Sequence, residues 1–104
     1  MNTELKFEWD EAKRQANIEK HGLDFVDAGV LFNSEGAPFL VSLDVREEYG
    51  EERWIGLGLL SNRVVVVVYT EPDENTRRII SFRKAVSYER EEYEEYLADE
   101  LGES

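Results

Sequence analysis

The chain has few of the residues that cross-link small secreted proteins or bind metal ions in common metal sites. It contains no cysteine, so neither a disulfide nor a thiolate metal ligand is available. His21 is the only histidine, and the carboxylates do not follow the spacing of a calcium-binding loop. We therefore predict no metal and no other cofactor, and the lack of cysteine fits a reducing compartment.

Long apolar runs are also missing. No segment approaches the roughly 20 apolar residues that a membrane-spanning helix needs. The first residues, MNTELKFEWDEAKR, are charged where a signal peptide would be apolar. We expect a soluble cytoplasmic protein with no membrane partner. A length of 104 residues favours a single domain over residues 1–104.

Positive charge is scarce and unevenly placed. The 12 basic and 24 acidic residues give a formal net charge of −12, which repels nucleic acid at long range. Residues 77–84, RRIISFRK, nevertheless hold four basic residues and no acid, whereas residues 89–104 hold eight acids and one arginine. This pattern argues against a direct DNA-binding protein, but it provides a small basic surface and an acidic one that suits a basic protein partner.

Capping residues and apolar periodicity predict helices near both ends of the chain. Asp10 is a suitable N-cap for a helix over residues 11–21, and Gly22 is suited to end it. A second short helix is predicted over residues 25–32. A C-terminal helix, residues 87–101, has a narrow apolar stripe on an otherwise acidic surface.

The middle of the chain has β-strand patterning. The five valines at 64–68 indicate a central strand buried on both faces. We expect an α+β fold in which an antiparallel meander of about four strands lies between the N-terminal helices and the C-terminal helix. The predicted strands cover residues 38–44, 53–60, 63–70 and 77–84, and FEWD at 7–10 is a further short strand or extended segment.

His21 has two interpretations from its position alone. Histidine in the last turn of a helix is favoured by the negative end of the helix dipole, and Gly22 is an ordinary residue for ending a helix. Histidine is also the side chain best matched to proton transfer near neutral pH. The residues themselves leave both interpretations open.

Three arginines on the predicted strands are candidates for binding phosphate. Arg53, Arg78 and Arg83 each offer a planar fork suited to phosphate, or salt bridges to the many acidic neighbours. Strand alternation puts Arg83 on the side of Arg77, and Arg78 on the side of Lys84, unless a bulge intervenes. This division favours a compact pocket over a broad nucleic-acid-binding stripe.

Residues 7–28, FEWDEAKRQANIEKHGLDFVDA, closely resemble the opening of the BrnT family of bacterial type II toxins. Leu23 stands where that family prefers valine or isoleucine. In the second half, RIISFRKA at 78–85 and EER at 51–53 resemble further family motifs, so the similarity covers about residues 6–96. The matched positions of the opening are Phe7, Trp9, Asp10, Lys13, Asn17, Lys20, His21, Gly22, Phe25 and Ala28.

The resemblance implies a RelE-like fold and an endoribonuclease that blocks translation. It also implies a BrnA-like antitoxin with a ribbon-helix-helix DNA-binding domain, in a complex of two toxins with an antitoxin dimer. Toxin and antitoxin would repress their own operon together, so this chain would contact DNA only through the antitoxin.

Metal-independent RNA cleavage makes modest chemical demands. RNA supplies its own nucleophile, the 2′-hydroxyl, so a protein must align the backbone, move protons and stabilise charge on the phosphate. We expect His21 or Glu52 to transfer protons, and Arg53 and Arg83 to bind phosphate. The candidate catalytic residues are His21, Glu52, Arg53 and Arg83, and the candidate substrate-binding residues are Lys20 and Arg78.

A second hypothesis is a non-catalytic or weakly active partner that binds the antitoxin and tunes operon repression. Glu71 and Pro72 stand where many relatives carry an arginine, and Phe82 replaces a small residue of the family pattern. The acidic C-terminal helix suits a basic protein better than RNA. Toxicity on expression alone separates the two hypotheses.

Overall fold

The structure, a computed structural model that describes residues 4–33, 37–100 and 102, has an α+β fold, as the sequence predicts. Its helices are α1 (Glu11–His21), α2 (Gly29–Phe32) and α3 (Ser87–Glu100), and a 3-10 helix (Phe25–Ala28) leads into α2. Its strands are β1 (Lys6–Glu8), β2 (Leu40–Leu43), β3 (Trp54–Leu60), β4 (Arg63–Asp73) and β5 (Thr76–Lys84). Leu101, the last residue of the predicted C-terminal helix, and residues 34–36, between the second predicted helix and the strand predicted at 38–44, lie outside the described residues.

Within residues 4–33, 37–100 and 102, none of the helices has the length and apolar character required to span a bilayer.

The five strands form one sheet in the order β1-β5-β4-β3-β2. Strands β2 to β5 pair antiparallel with their chain neighbours, and β1 pairs parallel with the start of β5. The predicted sheet of about four strands is therefore incomplete, because it lacks β1. The short strand predicted at residues 7–10 overlaps β1, but its parallel pairing with β5 was not predicted.

Helix α1 begins and ends at the predicted residues. The Asp10 carboxylate accepts a hydrogen bond from the Lys13 N–H at 3.1 Å, which caps the first turn. Gly22 has φ +71°, a left-handed conformation that glycine adopts without a Cβ penalty, and its N–H donates to the Ile18 carbonyl. His21 is therefore the last helical residue.

One side of the sheet, here called the α1/α2 face, is closed by an apolar core. Gly56 and Gly58 lie directly beneath the side chains of Phe39 and Leu31, where an added Cβ would collide. The two glycines therefore leave room for core side chains against the sheet. The buried members of this core are Phe25, Ala28, Leu31, Val65, Val67, Tyr69, Ile79 and Phe82.

The opposite side, here called the α3 face, is only partly apolar. Tyr93 of α3 is fully buried, and its hydroxyl donates to the Pro38 carbonyl at 2.7 Å, which fastens the helix to the start of β2. The other buried residues of this cluster are Leu57, Val64, Val66 and Ala85. Beyond them, the same face carries the charged side chains of the candidate site.

Candidate active site

A β-bulge in β5 places two of the candidate arginines on the same face of the sheet. The pairing of β5 with β4 skips Ile80, so that Arg83 lies opposite Val66 and Arg78 lies opposite Thr70. Uninterrupted alternation predicts opposite sides for the two arginines, and the extra residue reverses that outcome. Both arginines thus belong to the α3 face, about 13 Å apart, since a strand rises ~3.3 Å per residue.

Arg83 is held by a buried carboxylate at the start of α3. Its Nη1 and Nη2 donate to Oε1 and Oε2 of Glu89 at 2.8 and 2.9 Å, and Nη1 also donates to the Lys84 carbonyl. Glu89 accepts the Val86 N–H as well, and its side chain is only 10% exposed. Hydrogen bonding to Arg83 lowers the pKa of Glu89, so the pair is ionised at neutral pH and fixes the guanidinium.

Asn17 fastens α1 to the edge of β5 that β1 leaves unpaired. Its Nδ2 donates to the carbonyls of Phe82 and Leu23 at 2.7 and 2.8 Å, and its Oδ1 accepts the Phe82 N–H at 3.2 Å. The amide therefore replaces a missing strand partner. As Phe82 precedes Arg83, this link fixes the end of α1, with Lys20 and His21, relative to that arginine.

The surroundings of His21 favour its neutral form. Burial lowers the pKa of His21 below its ordinary value of 6.5, and the positive charges of Lys20 and Arg83 lower it further. The imidazole is therefore mostly neutral at pH 7 and can accept a proton. The structure thus brings together three of the six predicted site residues: His21, Lys20 and Arg83.

Arg53 lies one residue before β3 and has the strand parity of Ile55 and Leu57, which pack on the α3 face. Its guanidinium stacks on the Tyr49 ring, with the Cζ atom 4.1 Å from the ring centroid. Its Nε lies 3.6 Å from Oε2 of Glu51, which is an ion-pair contact but too long for a hydrogen bond. This buried Nε has no hydrogen-bond acceptor among the described residues.

Glu52 and Arg78 share a cavity at the other end of the α3 face. The Nε and Nη2 atoms of Arg78 contact Oε2 of Glu8 at 2.6 Å, in a pair that is about half exposed. Three glutamates line this cavity beside a single arginine, so its charge does not favour phosphate. The cavity has a volume of about 340 Å³ and is lined by Glu51, Glu52, Trp54, Thr70, Glu71, Pro72 and Arg78.

Sequence reasoning missed the ordered turn over residues 44–49, because it placed Asp44 at the end of a predicted strand and found no site residue among residues 45–49 of the acidic segment that follows. Asp44, with a fully buried side chain, accepts hydrogen bonds from the backbone N–H, Nε and Nη2 of Arg46 and from the Tyr49 hydroxyl. Tyr49 in turn lies under Arg53. The one signal that could have found it is Asp44 itself, because an aspartate often forms an Asx turn in which its carboxylate accepts the backbone N–H two residues later.

The described residues, 4–33, 37–100 and 102, contain no cluster of three histidine or carboxylate side chains suited to hold a metal ion.

Comparison with known proteins identifies the class of protein. Residues 9–89 match the family model described as the ribonuclease toxin, BrnT, of type II toxin-antitoxin systems. The match spans most of the chain, so the chain belongs to this family, and the resemblance predicted from the sequence is confirmed. A type II toxin has an antitoxin partner. No curated protein matches the chain.

A solved structure supports the same assignment. The chain is similar to the Brucella abortus ribonuclease toxin, BrnT, whose crystal structure was determined at 1.1 Å resolution. The two share 27% sequence identity and superpose with a TM-score of 0.58. The match covers 80% of this chain and 99% of the Brucella chain.

Proposed function

We propose that this BrnT-family protein is a metal-independent endoribonuclease that cleaves RNA in the cytoplasm and blocks translation. The observation that carries the proposal is the bulge in β5, which puts Arg78 and Arg83 on the face of Arg53 while α1 ends at His21, near Arg83. Because RNA carries its own 2′-hydroxyl nucleophile, residues that bind phosphate and move protons are sufficient for cleavage.

The proposed role of each side chain follows from its surroundings. Neutral His21 accepts the proton of the 2′-hydroxyl, and its lowered pKa keeps it ready for that step near neutral pH. Arg83 and Arg53 stabilise the charge that develops on the reacting phosphate. Lys20, which is exposed in the last turn of α1, adds positive charge beside them.

Two residues serve the outer part of the site. Arg78, about 13 Å from Arg83, binds a flanking phosphate outside the glutamate-lined cavity, where RNA replaces its exposed partner Glu8. Glu52 is the second candidate for proton transfer, and it lines the cavity that it shares with Arg78. The RelE-like fold inferred from the sequence is part of this proposal.

The antitoxin is proposed to be a BrnA-like ribbon-helix-helix protein, in a complex of two toxins with an antitoxin dimer. The net charge of −12 and the acidic surface of α3 suit a basic protein, and they disfavour unaided binding to DNA. The toxin would then act in operon repression only through the antitoxin.

Growth after induced expression of the chain alone tests the toxin proposal. The comparison is with the double variant Arg53→Ala/Arg83→Ala, matched for the amount of folded protein. We expect the parent to stop growth with loss of cellular RNA and the variant to grow. Normal growth with folded parent protein would remove the main support for ribonuclease activity.

A non-catalytic, antitoxin-binding role is the second candidate, and specific contacts favour it. Arg83 pairs with Glu89, Arg78 with Glu8, and Arg53 lies within ion-pair distance of Glu51. RNA must compete with a carboxylate at each arginine. Under this alternative, folded parent protein is harmless but still binds a co-expressed antitoxin, as measured by co-purification.

A further inference from the structure

Strand β2 forms one edge of the sheet, and no strand pairs with its outer side in the part of the chain that the structure describes. Just after β2, the Asp44 N–H donates to the Arg53 carbonyl at 2.7 Å. Because paired groups alternate along an antiparallel ladder, Ser42 also bonds to β3, whereas the N–H and C=O groups of Val41 and Leu43 point away from the sheet. An added strand can pair with them without disturbing β3.

The side chains of Val41 and Leu43 form an apolar patch beside these free backbone groups. They lie on the α1/α2 face, opposite Gly56 and Trp54 of β3. Their exposed fractions are 38% and 42%, and that of Val45, which follows the strand, is 79%. Three exposed apolar side chains therefore occur within residues 41–45, next to an unpaired backbone.

Strand β2 also lacks the features that usually prevent pairing with another chain. Proteins commonly protect an exposed sheet edge with charged side chains, proline or a bulge. At the opposite edge, two of the three residues of β1 are charged, Lys6 and Glu8. The sequence of β2, LVSL, has no charged residue and no proline, and its pairing with β3 is regular. The contrast favours a docking role for the β2 edge.

An acidic concavity continues from the end of β2. Its volume is about 800 Å³, and it is lined by residues 43–52. Asp44 and Arg46 belong to this lining, but their charges cancel in an ion pair of 2.8 Å. The other charged residues of the lining are four exposed glutamates: Glu47, Glu48, Glu51 and Glu52. Their charge disfavours RNA, and a second copy of the chain carries the same net charge of −12 and is disfavoured as well.

We propose that the β2 edge binds an extended, basic segment of the antitoxin, which pairs with the outer side of β2 as an added strand. Apolar residues spaced two apart in that segment cover Val41 and Leu43, and lysine or arginine side chains at its end lie beside the four glutamates. The opposite charges steer association, and the backbone hydrogen bonds fix the register. This inference rests on the antitoxin partner of the proposed function and assigns that partner a docking surface.

Hydrogen exchange of individual backbone amides, followed by NMR, tests the pairing directly. The free chain is compared with its purified complex with the antitoxin encoded in the same operon. In the free chain, Val41 and Leu43 should exchange rapidly, whereas Ser42, bonded to β3, should exchange more slowly. In the complex, exchange at Val41 and Leu43 should slow by at least about 100-fold, because both amides gain acceptors.

A pair of variants tests the apolar patch. Val41→Ser/Leu43→Ser should weaken antitoxin binding about tenfold, as measured by isothermal titration calorimetry, because it removes apolar area that the complex buries. The matched control is Val26→Ser/Val30→Ser, which changes side chains that are 55% and 59% exposed on the 3-10 helix and α2. The control should weaken binding by less than about twofold. Equal losses would overturn the assignment to the β2 edge.

A second pair of variants tests the charge. Glu47→Gln/Glu48→Gln should weaken binding about fivefold at low salt, and less at high salt. Glu19→Gln/Glu74→Gln makes the same change in charge on α1 and on the turn between β4 and β5. Those elements lie toward the opposite edge of the sheet, so this control should lose less than about twofold. An equal or larger loss in the control would contradict a basic segment at the concavity.

The exchange experiment separates failure of this inference from failure of the proposed function. A complex in which Val41 and Leu43 exchange as fast as in the free chain would overturn the docking surface and leave the antitoxin partnership standing. Slow exchange in the free chain that increases with protein concentration would assign the edge to a second copy and would also overturn it. A folded chain that forms no complex with the antitoxin would overturn both.

Discussion

Neighbouring residues of β5 lie in different surroundings on the two faces of the sheet. Phe82 is fully buried in the core of the α1/α2 face, whereas Arg83, the next residue, is held on the α3 face by Glu89. Asn17 binds both backbone polar groups of Phe82, so the closed face fixes the backbone that presents the arginine. The difference indicates that the packed face supplies rigidity and that the α3 face supplies the chemistry.

The largest expected effect is on the packed face. Phe82→Ala should lower the free energy of unfolding by about 3–5 kcal/mol, because it leaves a cavity in the core. Urea denaturation measures the loss. Val86→Ala, at an exposed position four residues later, should change stability by less than about 0.5 kcal/mol. Similar losses in both variants would contradict the contrast between the faces.

The next effect is on activity and distinguishes two arginines of β5. Arg83→Gln/Glu89→Gln replaces the pair by neutral groups and should lower RNA cleavage by about 100-fold, as expected when a donor to a developing anion is lost. Arg77→Gln removes an arginine that is paired with Glu71, and it should lower RNA cleavage by less than about threefold. Single-turnover cleavage with matched amounts of folded protein gives the comparison, and equal losses would remove Arg83 from the site.

A smaller, pH-dependent effect follows from His21. Because its pKa in the folded protein lies below 6.5, cleavage should be constant near pH 7 and should fall about tenfold per unit once the pH is below that lowered pKa. The stability contributed by the neutral form is likewise present above pH 6.5 and is lost as the pH falls through the lowered value. The fall in cleavage rate at low pH should be absent from the pH–rate profile of His21→Asn. A profile that keeps this fall in the variant would assign it to another group.

The smallest effect is expected at Arg78. Its pair with Glu8 is about half exposed, so Arg78→Gln should change the free energy of unfolding by less than about 1 kcal/mol. If Arg78 binds only a flanking phosphate, the rate at saturating RNA should stay unchanged while the RNA concentration for half-maximal rate rises about threefold. A drop in the saturated rate would place Arg78 at the reacting phosphate instead.

Local signals predicted much of the fold. The caps Asp10 and Gly22 located α1 because each acts through hydrogen bonds within a few residues. The valines of β4 located the centre of the sheet, since burial on both faces gives a continuous apolar run. The family motifs also predicted the class of protein.

The remaining features depend on contacts that are distant in sequence. The pairing of β1 is set by backbone hydrogen bonds to β5, and no residue pattern encodes the bulge at Ile80. The bulge alone decides that Arg78 and Arg83 share a face. The ordered turn that holds Arg46 was missed because a segment rich in glutamate is expected to be exposed to solvent. Asp44, at the start of this turn, is nevertheless buried.

Cleavage by the purified protein in the presence of EDTA tests the central claim most directly. The substrates are a single-stranded RNA and its 2′-O-methylated counterpart, with the Arg53→Ala/Arg83→Ala variant as the control. A metal-independent site that uses the RNA hydroxyl should cut the first substrate, spare the second and lose activity in the variant. Intact RNA, or equal cutting by the parent and the folded variant, would contradict the account.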